Sequence, residues 1–276
     1  MMLYIMFKVG DLMGLINYCD EKITILKENN IEFVNGIPQI PKNMYYDDIP
    51  EYIETYQFRN EIPIDKQKKS LICFYSDDKR LWNRLNTIEK DCEIFKNYGG
   101  IVGMDLSISV FMLKIRQRFF MKLNAIYNCL VALHGIKIAI NARIGDLSTL
   151  DVIKNYPSDK LVVFGNIGCK KKIPAYSYYV IEKWIKFVKL KTICVYGTIT
   201  DKDLWYYKKM RIDLTIHCYF NHNNRNKHKK NVFIIRGNEY TRNKSVVGNV
   251  CDYILYQSDE KINSHLVTLN ERRKLK

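Results

Sequence analysis

Apolar runs of strand length alternate with helical stretches between residues 71 and 220. The runs have the length of buried strands, and apolar side chains recur at helical spacing in the stretches between them. Strands that alternate with helices form right-handed crossovers, which place the strands parallel to one another. The pattern therefore predicts an α/β fold with a mainly parallel sheet. The predicted strands are residues 71–78, 100–105, 136–143, 161–166, 192–197 and 212–220.

The clearest helix in the sequence is the run SISVFMLKIRQRFFMKLNAIYNCLVALHG. Ser107 or Ser109 would cap its start, because a serine hydroxyl accepts a hydrogen bond from a backbone N–H of the first turn. Gly135 would end it, because glycine adopts the left-handed conformation that closes many helices. Other helical stretches are predicted around residues 79–98, 148–155 and 175–190.

Polar side chains follow one predicted strand after another. In a parallel α/β sheet the ligand site lies at the carboxyl ends of the strands. Because the polar ends recur on consecutive units and not at a single switch point, the sheet is expected to be barrel-like, either TIM-like or a partial barrel, and not doubly wound. The residues at these ends are Ser76, Asp77, Asp78, Asp105, Ser107, Asn141, Arg143, Asp146, Asn166, Gly168, Cys169, Tyr196, Gly197 and Thr198.

The strand IKIAINAR, residues 136–143, is expected to point Asn141 and Arg143 to one face, together with Ala139. An arginine guanidinium matches a phosphate or a carboxylate, and an asparagine can both donate and accept hydrogen bonds. An alternative is that Arg143 forms a structural ion pair with an aspartate at residue 105 or 146. The predicted ligand-binding or phosphate-binding residues are Arg143, Asn141, Ser107, Asn166 and Gly168.

The aspartates at the strand ends are the candidates for catalysis. Asp105, Asp146 and Asp77 are predicted to act as metal ligands or as a general base. Asp77, Asp78 and Asp105 could hold a Mg²⁺ ion, which prefers oxygen ligands and retains several waters. The alternative is that these aspartates cap helices, which is the common role of an aspartate in a turn after a strand.

The charge of the chain is unevenly distributed. The net charge is +15, and residues 1–69 hold 8 basic and 11 acidic side chains, so the remaining 207 residues carry +18. Such an excess favours a nucleic-acid partner, because each neutralised phosphate releases counterions. Lys114, Arg118 and Lys122 lie at helical spacing and form a basic stripe for a phosphate backbone. The alternatives are a charge that serves solubility and an ordinary solvated helix face.

Three regions are predicted along the chain. Residues 1–69 form an irregular accessory segment, because four prolines between residues 35 and 64 prevent long helices. Residues 70–220 form the α/β core, and residues 221–276 contain a basic loop, terminal strands and a basic tail. The terminal strands either complete a barrel or form an antiparallel edge.

No membrane partner is expected, because charged residues interrupt the apolar start of the chain before it is long enough to span a bilayer. The eight cysteines include no C-x-x-C pair and favour a reducing, cytoplasmic location. The sequence leaves the oligomeric state open.

Five motifs in fixed order resemble those of an uncharacterised family, a domain of unknown function found in bacterial, phage and other mobile-element genomes. The motifs are FYSDDKRLWNRL, GIVGMDLS, GIKIAINARIGD, GNIGC and VYG, and the resemblance covers roughly residues 35–200. It implies an α/β fold with a site at the strand ends and a mobile-element context in a bacterial host, without a known activity. The chain departs from the family pattern in residues 119–125 and at Ile144.

Three classes of function are consistent with these features. The first is nucleic-acid-associated work in a phage or mobile element, such as replication or strand processing, with a metal-assisted phosphoryl-transfer site. The second is an enzyme or binding protein for a small molecule, a nucleotide or a sugar-like ligand, that uses the same pocket. The third is a catalytically inactive interaction protein. An acid, an amide and an arginine at strand ends serve many chemistries, so the sequence does not separate the three.

Overall fold

The computed structural model of the chain describes residues 9–109, 111–153, 156–166, 174–209, 214–219, 231–236 and 239–243. A two-stranded hairpin, β1 (Phe33–Val34) and β2 (Ile37–Pro38), precedes a larger sheet. The strands of the larger sheet are β3 (Tyr52–Thr55), β4 (Ser70–Cys73), β5 (Gly100–Val102), β6 (Ile138–Asn141), β7 (Val162–Gly165), β8 (Thr192–Tyr196), β9 (Leu214–Tyr219), β10 (Asn231–Arg236) and β11 (Glu239–Asn243).

The strands of the larger sheet lie side by side in the order in which they occur in the sequence. The seven strands β3 to β9 are parallel, and β10 and β11 continue the sheet in antiparallel pairing. Because the order never reverses, successive crossovers wind in one direction, and the parallel part curls into a half-barrel. The predicted mainly parallel, partially barrel-like α/β fold is therefore confirmed, and β10 and β11 form an antiparallel edge of the sheet.

Seven α-helices lie within the described residues, and short 3₁₀ turns occur at Lys42–Met44, Tyr56–Glu61, Ile64–Lys69 and Leu147–Thr149. None of the helices in this part of the chain is both long enough and apolar enough to cross a bilayer. The helices are α1 (Val9–Glu28), α2 (Asp78–Leu85), α3 (Ile88–Phe95), α4 (Lys114–Leu133), α5 (Leu150–Ile153), α6 (Pro174–Val188) and α7 (Asp201–Lys209).

The sheet separates two apolar clusters. Side chains from one face of the strands pack with helices α1 to α4, and Ile138 and Ile140 of β6 belong to this cluster. The opposite, concave face carries a second cluster that includes Ala139 of β6 and contains no helix residue. This alternation along β6 is the predicted one. It places Asn141, two residues beyond Ala139, at the carboxyl end of the concave face.

The long helix begins later than the sequence predicts. Its first residue is Lys114 with Leu113 as N-cap, so the prediction that Ser107 or Ser109 caps it is wrong. The physical reason is that side chains of α4 itself hydrogen-bond the backbone around residues 104–106 and hold that segment in an irregular loop. The predicted stop is confirmed, because Gly135 has a left-handed φ of 80° directly after the C-cap.

Candidate functional site at the carboxyl ends of the strands

Asp105 is the centre of a polar network at the carboxyl ends of β5 and β6. Its carboxylate is buried and accepts hydrogen bonds from Asn141, the last residue of β6, and from Arg143, two residues further on. Oδ1 accepts from Asn141 Nδ2 at 2.8 Å and from Arg143 Nε, and Oδ2 accepts from Arg143 Nη2 at 2.6 Å. The guanidinium therefore engages both carboxylate oxygens, which fixes its plane. Of the two aspartates that the sequence offers as ion-pair partners of Arg143, the structure joins it to Asp105.

Asp78, which follows β4, connects the end of a third strand to this network. It is the first residue of α2, after β4, and its Oδ1 accepts the backbone N–H of Ser107 at 3.0 Å. The pKa of the Asp78 carboxyl is raised from its ordinary value of 3.8, mainly because burial disfavours the charged form. The charge of Asp105 adds to the rise, and that of Arg143 opposes it. A carboxyl with a raised pKa beside a fixed guanidinium can transfer a proton closer to neutral pH.

Buried amides of α4 hold the loops that carry these residues. Asn128 Oδ1 accepts the N–H of Met104 at 2.8 Å, and Asn124 Oδ1 accepts that of Leu106 at 3.0 Å. The two amides therefore fix the backbone on both sides of Asp105. Sequence reasoning missed these residues, because an asparagine in a helical run carries no signal that it faces a loop.

Tyr75 orients the amide of Asn141 from the concave face. Its hydroxyl donates to Asn141 Oδ1 at 3.2 Å, so the Nδ2 of that amide is directed at Asp105. Burial raises the pKa of Tyr75 well above its ordinary value, which keeps the hydroxyl protonated as a donor. The ring stacks on Tyr196 with centroids 5.6 Å apart, and it lies so close to the backbone of Gly165 that a Cβ there would collide with it. Sequence reasoning did not identify Tyr75 as a site residue either.

The other predicted site residues lie apart from this network. Asp77 is exposed at the N-cap of α2. Asp146 accepts hydrogen bonds from the hydroxyl and N–H of Ser148 and from Gln117, and the Ser148 hydroxyl is the main reason that its pKa is lowered. Asn166 donates its side-chain N–H to the carbonyl of Thr198. Gly168 and Cys169 lie outside the described residues.

The predicted basic stripe on α4 is divided by the structure. Arg118 makes a bidentate contact with Asp151, with N–O distances of 2.9 and 3.0 Å. Lys114 is exposed, and Lys122 is half-buried. Arg116, which lies off the predicted line, is exposed as well. The exposed cations of this helix are therefore gathered at its first turn.

A metal site is not evident among the described residues. No group of three or more His, Cys, Asp or Glu side chains in this part of the chain is arranged to hold a metal ion. Of the three aspartates expected to bind Mg²⁺, Asp78 accepts the N–H of Ser107, two residues after Asp105, and Arg143 contacts both oxygens of Asp105. Burial raises the pKa of the Cys92 and Cys129 thiols to about 12, as suits core residues and not nucleophiles.

A cleft of about 230 Å³ opens near the ends of β3 and β4. Its wall contains two arginines of α2 and two aromatic residues, Tyr56 and Phe74. Tyr56 stacks against Arg84 with 4.3 Å between the guanidinium carbon and the ring centroid. Sequence reasoning did not single out this cleft. The residues that line it are Thr55, Tyr56, Gln57, Phe74, Ser76, Arg80, Leu81, Asn83 and Arg84.

Comparison with known proteins identifies one family model, described as a domain of unknown function (DUF4417), which matches residues 32–213. The matched range includes β1 to β8 and all of the strand-end network. Neither the curated proteins nor the solved structures contain a match to the chain.

Proposed function

The chain belongs to the DUF4417 family, a domain of unknown function, and we propose that it binds nucleic acid at the carboxyl edge of the half-barrel and acts there on a phosphate group. The observation that carries this proposal is the guanidinium of Arg143, fixed by Asp105 beside Asn141 at the ends of neighbouring parallel strands. A ligand in this class of sheet binds at those ends.

A fixed guanidinium suits a phosphate. Arginine presents donors in a planar fork that matches phosphate oxygens, and pre-orientation by a carboxylate reduces the entropy lost on binding. The Arg143 side chain keeps 24% of its surface exposed, so a ligand can reach it although Asp105 holds it. Asp78, with its raised pKa, supplies a group that can take up or release a proton next to the bound phosphate.

The charge of the chain supports a polymeric ligand. An excess of +18 beyond residue 69 is larger than one small anion requires, and it favours a partner with many phosphates. The finer part of the proposal is a DNA-binding role in replication or strand processing, in a phage or mobile element and in the cytoplasm of a bacterial host. The family resemblance and the cysteine usage support that context.

Binding is tested by fluorescence anisotropy with labelled single-stranded and duplex DNA and RNA at several salt concentrations. Affinity should fall steeply as salt rises, because binding releases counterions. Arg143→Lys keeps the charge next to Asp105 but loses the planar fork, and it should weaken binding about tenfold. Arg118→Lys is the matched control, because Arg118 also holds an aspartate but lies outside the network, and it should bind like the wild type. No binding at the lowest salt overturns the proposal.

Action on the phosphate is tested by incubating labelled oligonucleotides with the wild type and with Asp78→Asn, with and without Mg²⁺. The wild type should convert the oligonucleotide, and Asp78→Asn should bind it equally well but convert it at least about a hundredfold more slowly, the size expected for loss of a general acid or base. Equal conversion by both proteins removes the catalytic role from Asp78. No conversion under either condition overturns the catalytic part and leaves the binding part standing.

A second candidate function rests on the 230 Å³ cleft, which is somewhat smaller than the roughly 300 to 1,000 Å³ of typical small-ligand pockets and has room for part of a small molecule. The ligand would be a nucleotide or a sugar-like molecule, held by Ser76, Asn83 and Arg80. Thermal shift assays with nucleotides and sugars test it. A shift that Arg80→Ala abolishes, in a protein that binds no oligonucleotide, would favour this function over the first.

A further inference from the structure

A patch of large apolar side chains is exposed at the start of α4. Phe111, Leu113 and Ile115 are 70, 68 and 76% exposed, and the exposed cations Lys114 and Arg116 lie between and beside them. Phe111, Leu113 and Ile115 lie within five positions of one another, and large apolar side chains exposed so close together along the chain often mark a surface that binds a partner. We refer to residues 111–116 as the apolar-basic patch.

The apolar-basic patch lies at the rim of the strand-end network. The N–H of Ser107 is bonded to Asp78, and four residues further on the chain reaches Phe111, a span of at most about 14 Å. On the other side, the charge of Lys114 helps to lower the pKa of Asp146, which follows the end of β6 but lies outside the network. A ligand on the patch would therefore lie near the loop that carries Asp105 and Ser107.

We propose, building on the proposed function, that the nucleic acid bound at this edge is single-stranded. One base would stack on Phe111, and the phosphates would lie next to Lys114 and Arg116. An exposed aromatic ring beside cations is the usual surface for single-stranded nucleic acid, because unpaired bases expose their faces for stacking. A duplex hides those faces and offers only phosphates and groove edges.

The distribution of charge on α4 also favours a single strand. A duplex backbone lying along the helix would need Lys114, Arg118 and Lys122 together, but Arg118 is bound to Asp151. The exposed cations are instead interleaved with apolar residues over one turn.

The test uses the full chain and anisotropy with labelled single-stranded DNA, single-stranded RNA and duplex DNA. Phe111→Ala should weaken single-strand binding roughly 5- to 100-fold, the effect of losing one stacked base, and change duplex binding less than about twofold. Phe111→Trp should retain single-strand affinity, because it restores a stacking surface. Ile64→Ala is the matched control, since Ile64 is 87% exposed and lies beside Lys66, Lys68 and Lys69 but away from the patch, and it should have no effect.

Lys114→Ala and Arg116→Ala test the phosphate contacts. Each should lower the slope of log affinity against log salt by roughly 0.7, the value for one phosphate of a single strand. Comparing the affinities for single-stranded DNA and single-stranded RNA shows whether the site prefers deoxyribose or ribose. A preference for either one supports the proposal, provided that Phe111→Ala lowers its affinity.

Several outcomes overturn the inference and leave the proposed function intact. Single-strand binding that is weakened by Arg143→Lys but unchanged in Phe111→Ala would show that the patch is not the nucleic-acid surface. Binding to vesicles of anionic phospholipid, lost in Phe111→Ala while oligonucleotide binding persists, would identify a membrane surface. A dimer that Phe111→Ala dissociates, again with oligonucleotide binding intact, would identify a contact between copies. Absence of binding to every oligonucleotide overturns both proposals together.

Discussion

The buried carboxylate of Asp105 is stabilised by three hydrogen bonds from two residues of the next strand unit. A carboxylate removed from water is costly unless charge and hydrogen bonds compensate it, and Arg143 supplies both. Asn141 adds a neutral donor. The pair is therefore part of the fold as well as of the candidate site, and the two roles can be separated by stability measurements.

Asp105→Ala should lower the free energy of unfolding by about 3 kcal/mol, at the lower end of the range for a broken buried ion pair because Arg143 retains contact with solvent. Arg143→Ala should cost a similar amount, since it leaves a buried carboxylate without its cation. The double variant should lose less than the sum by about 1 to 3 kcal/mol. Urea denaturation of the four proteins measures this coupling, and strictly additive losses would show that the two side chains do not stabilise each other.

Asp78 should make the stability of the protein depend on pH. Its folded-state pKa is raised, so the folded protein binds the proton more tightly than the unfolded chain does. Stability should therefore fall as pH rises from the ordinary value of 3.8 through the folded pKa. Asp78→Asn keeps an oxygen that can accept from Ser107 and removes the charge, so it should flatten this part of the profile and be at least as stable as the wild type at neutral pH. Unfolding curves across that range compare the two, and a variant that is less stable at neutral pH would contradict the expected sign.

At the scale of elements, α4 is a scaffold for two loops. Its buried face carries Gln117, Asn124 and Asn128, whose amides bond the backbone after β5 and after β6. In an irregular buried loop some backbone N–H groups have no backbone acceptor, and each of these amide oxygens accepts one of them. The helix therefore determines where Asp105 and the residues after β6 lie.

Asn128→Ala should lower the free energy of unfolding by about 2 kcal/mol, because it leaves the buried N–H of Met104 without its acceptor. Asn29→Ala is the matched control. Asn29 also makes one hydrogen bond to the backbone, at 2.9 Å, but it is exposed, so its replacement should cost no more than about 0.5 kcal/mol. Equal losses in the two variants would mean that burial of the amide is not what makes it stabilising.

The elements show why part of the fold could be predicted from the sequence. Apolar runs of strand length identified β4 to β10, and the face of Asn141 followed from the alternation along β6. β3 was missed, because its four residues lie between prolines and resemble the loops around them. The position of the helix start depended on contacts of Asn124 and Asn128 with a segment earlier in the chain, which local patterns do not contain.

At the scale of the whole molecule, aromatic residues span the concave face and join distant strands of the half-barrel. The hydroxyl of Tyr196 in β8 donates to Glu54 in β3 at 2.6 Å, and that of Tyr219 in β9 donates to the carbonyl of Pro50, just before β3. These contacts explain why the concave side of an incomplete barrel is buried. They also tie the accessory segment predicted at residues 1–69 to the far end of the parallel sheet, although the predicted domain boundaries stay a prediction.

Tyr196→Phe should destabilise the protein more than Tyr219→Phe does. The first removes a donor from a buried carboxylate, a hydrogen bond that contributes about 2 kcal/mol, and the second removes one from a neutral carbonyl, which contributes about 1 kcal/mol. Chemical denaturation of both variants gives the comparison. The reverse order would indicate that Thr55, which also donates to Glu54, suffices to stabilise that carboxylate.

The agreement between strand order and sequence order has a consequence for synthesis on the ribosome. Every parallel strand after β3 pairs with a strand that has already been made, so the sheet can grow one unit at a time as the chain emerges. The trio of Asp78, Asp105 and Arg143 is complete once β6 and the residues just after it have emerged. Tyr196 and Tyr219, which cover the concave face from β8 and β9, come more than fifty residues later along the chain. A nascent chain that pauses in this interval exposes an apolar trough and a growing sheet edge, the two kinds of surface through which incompletely folded chains aggregate.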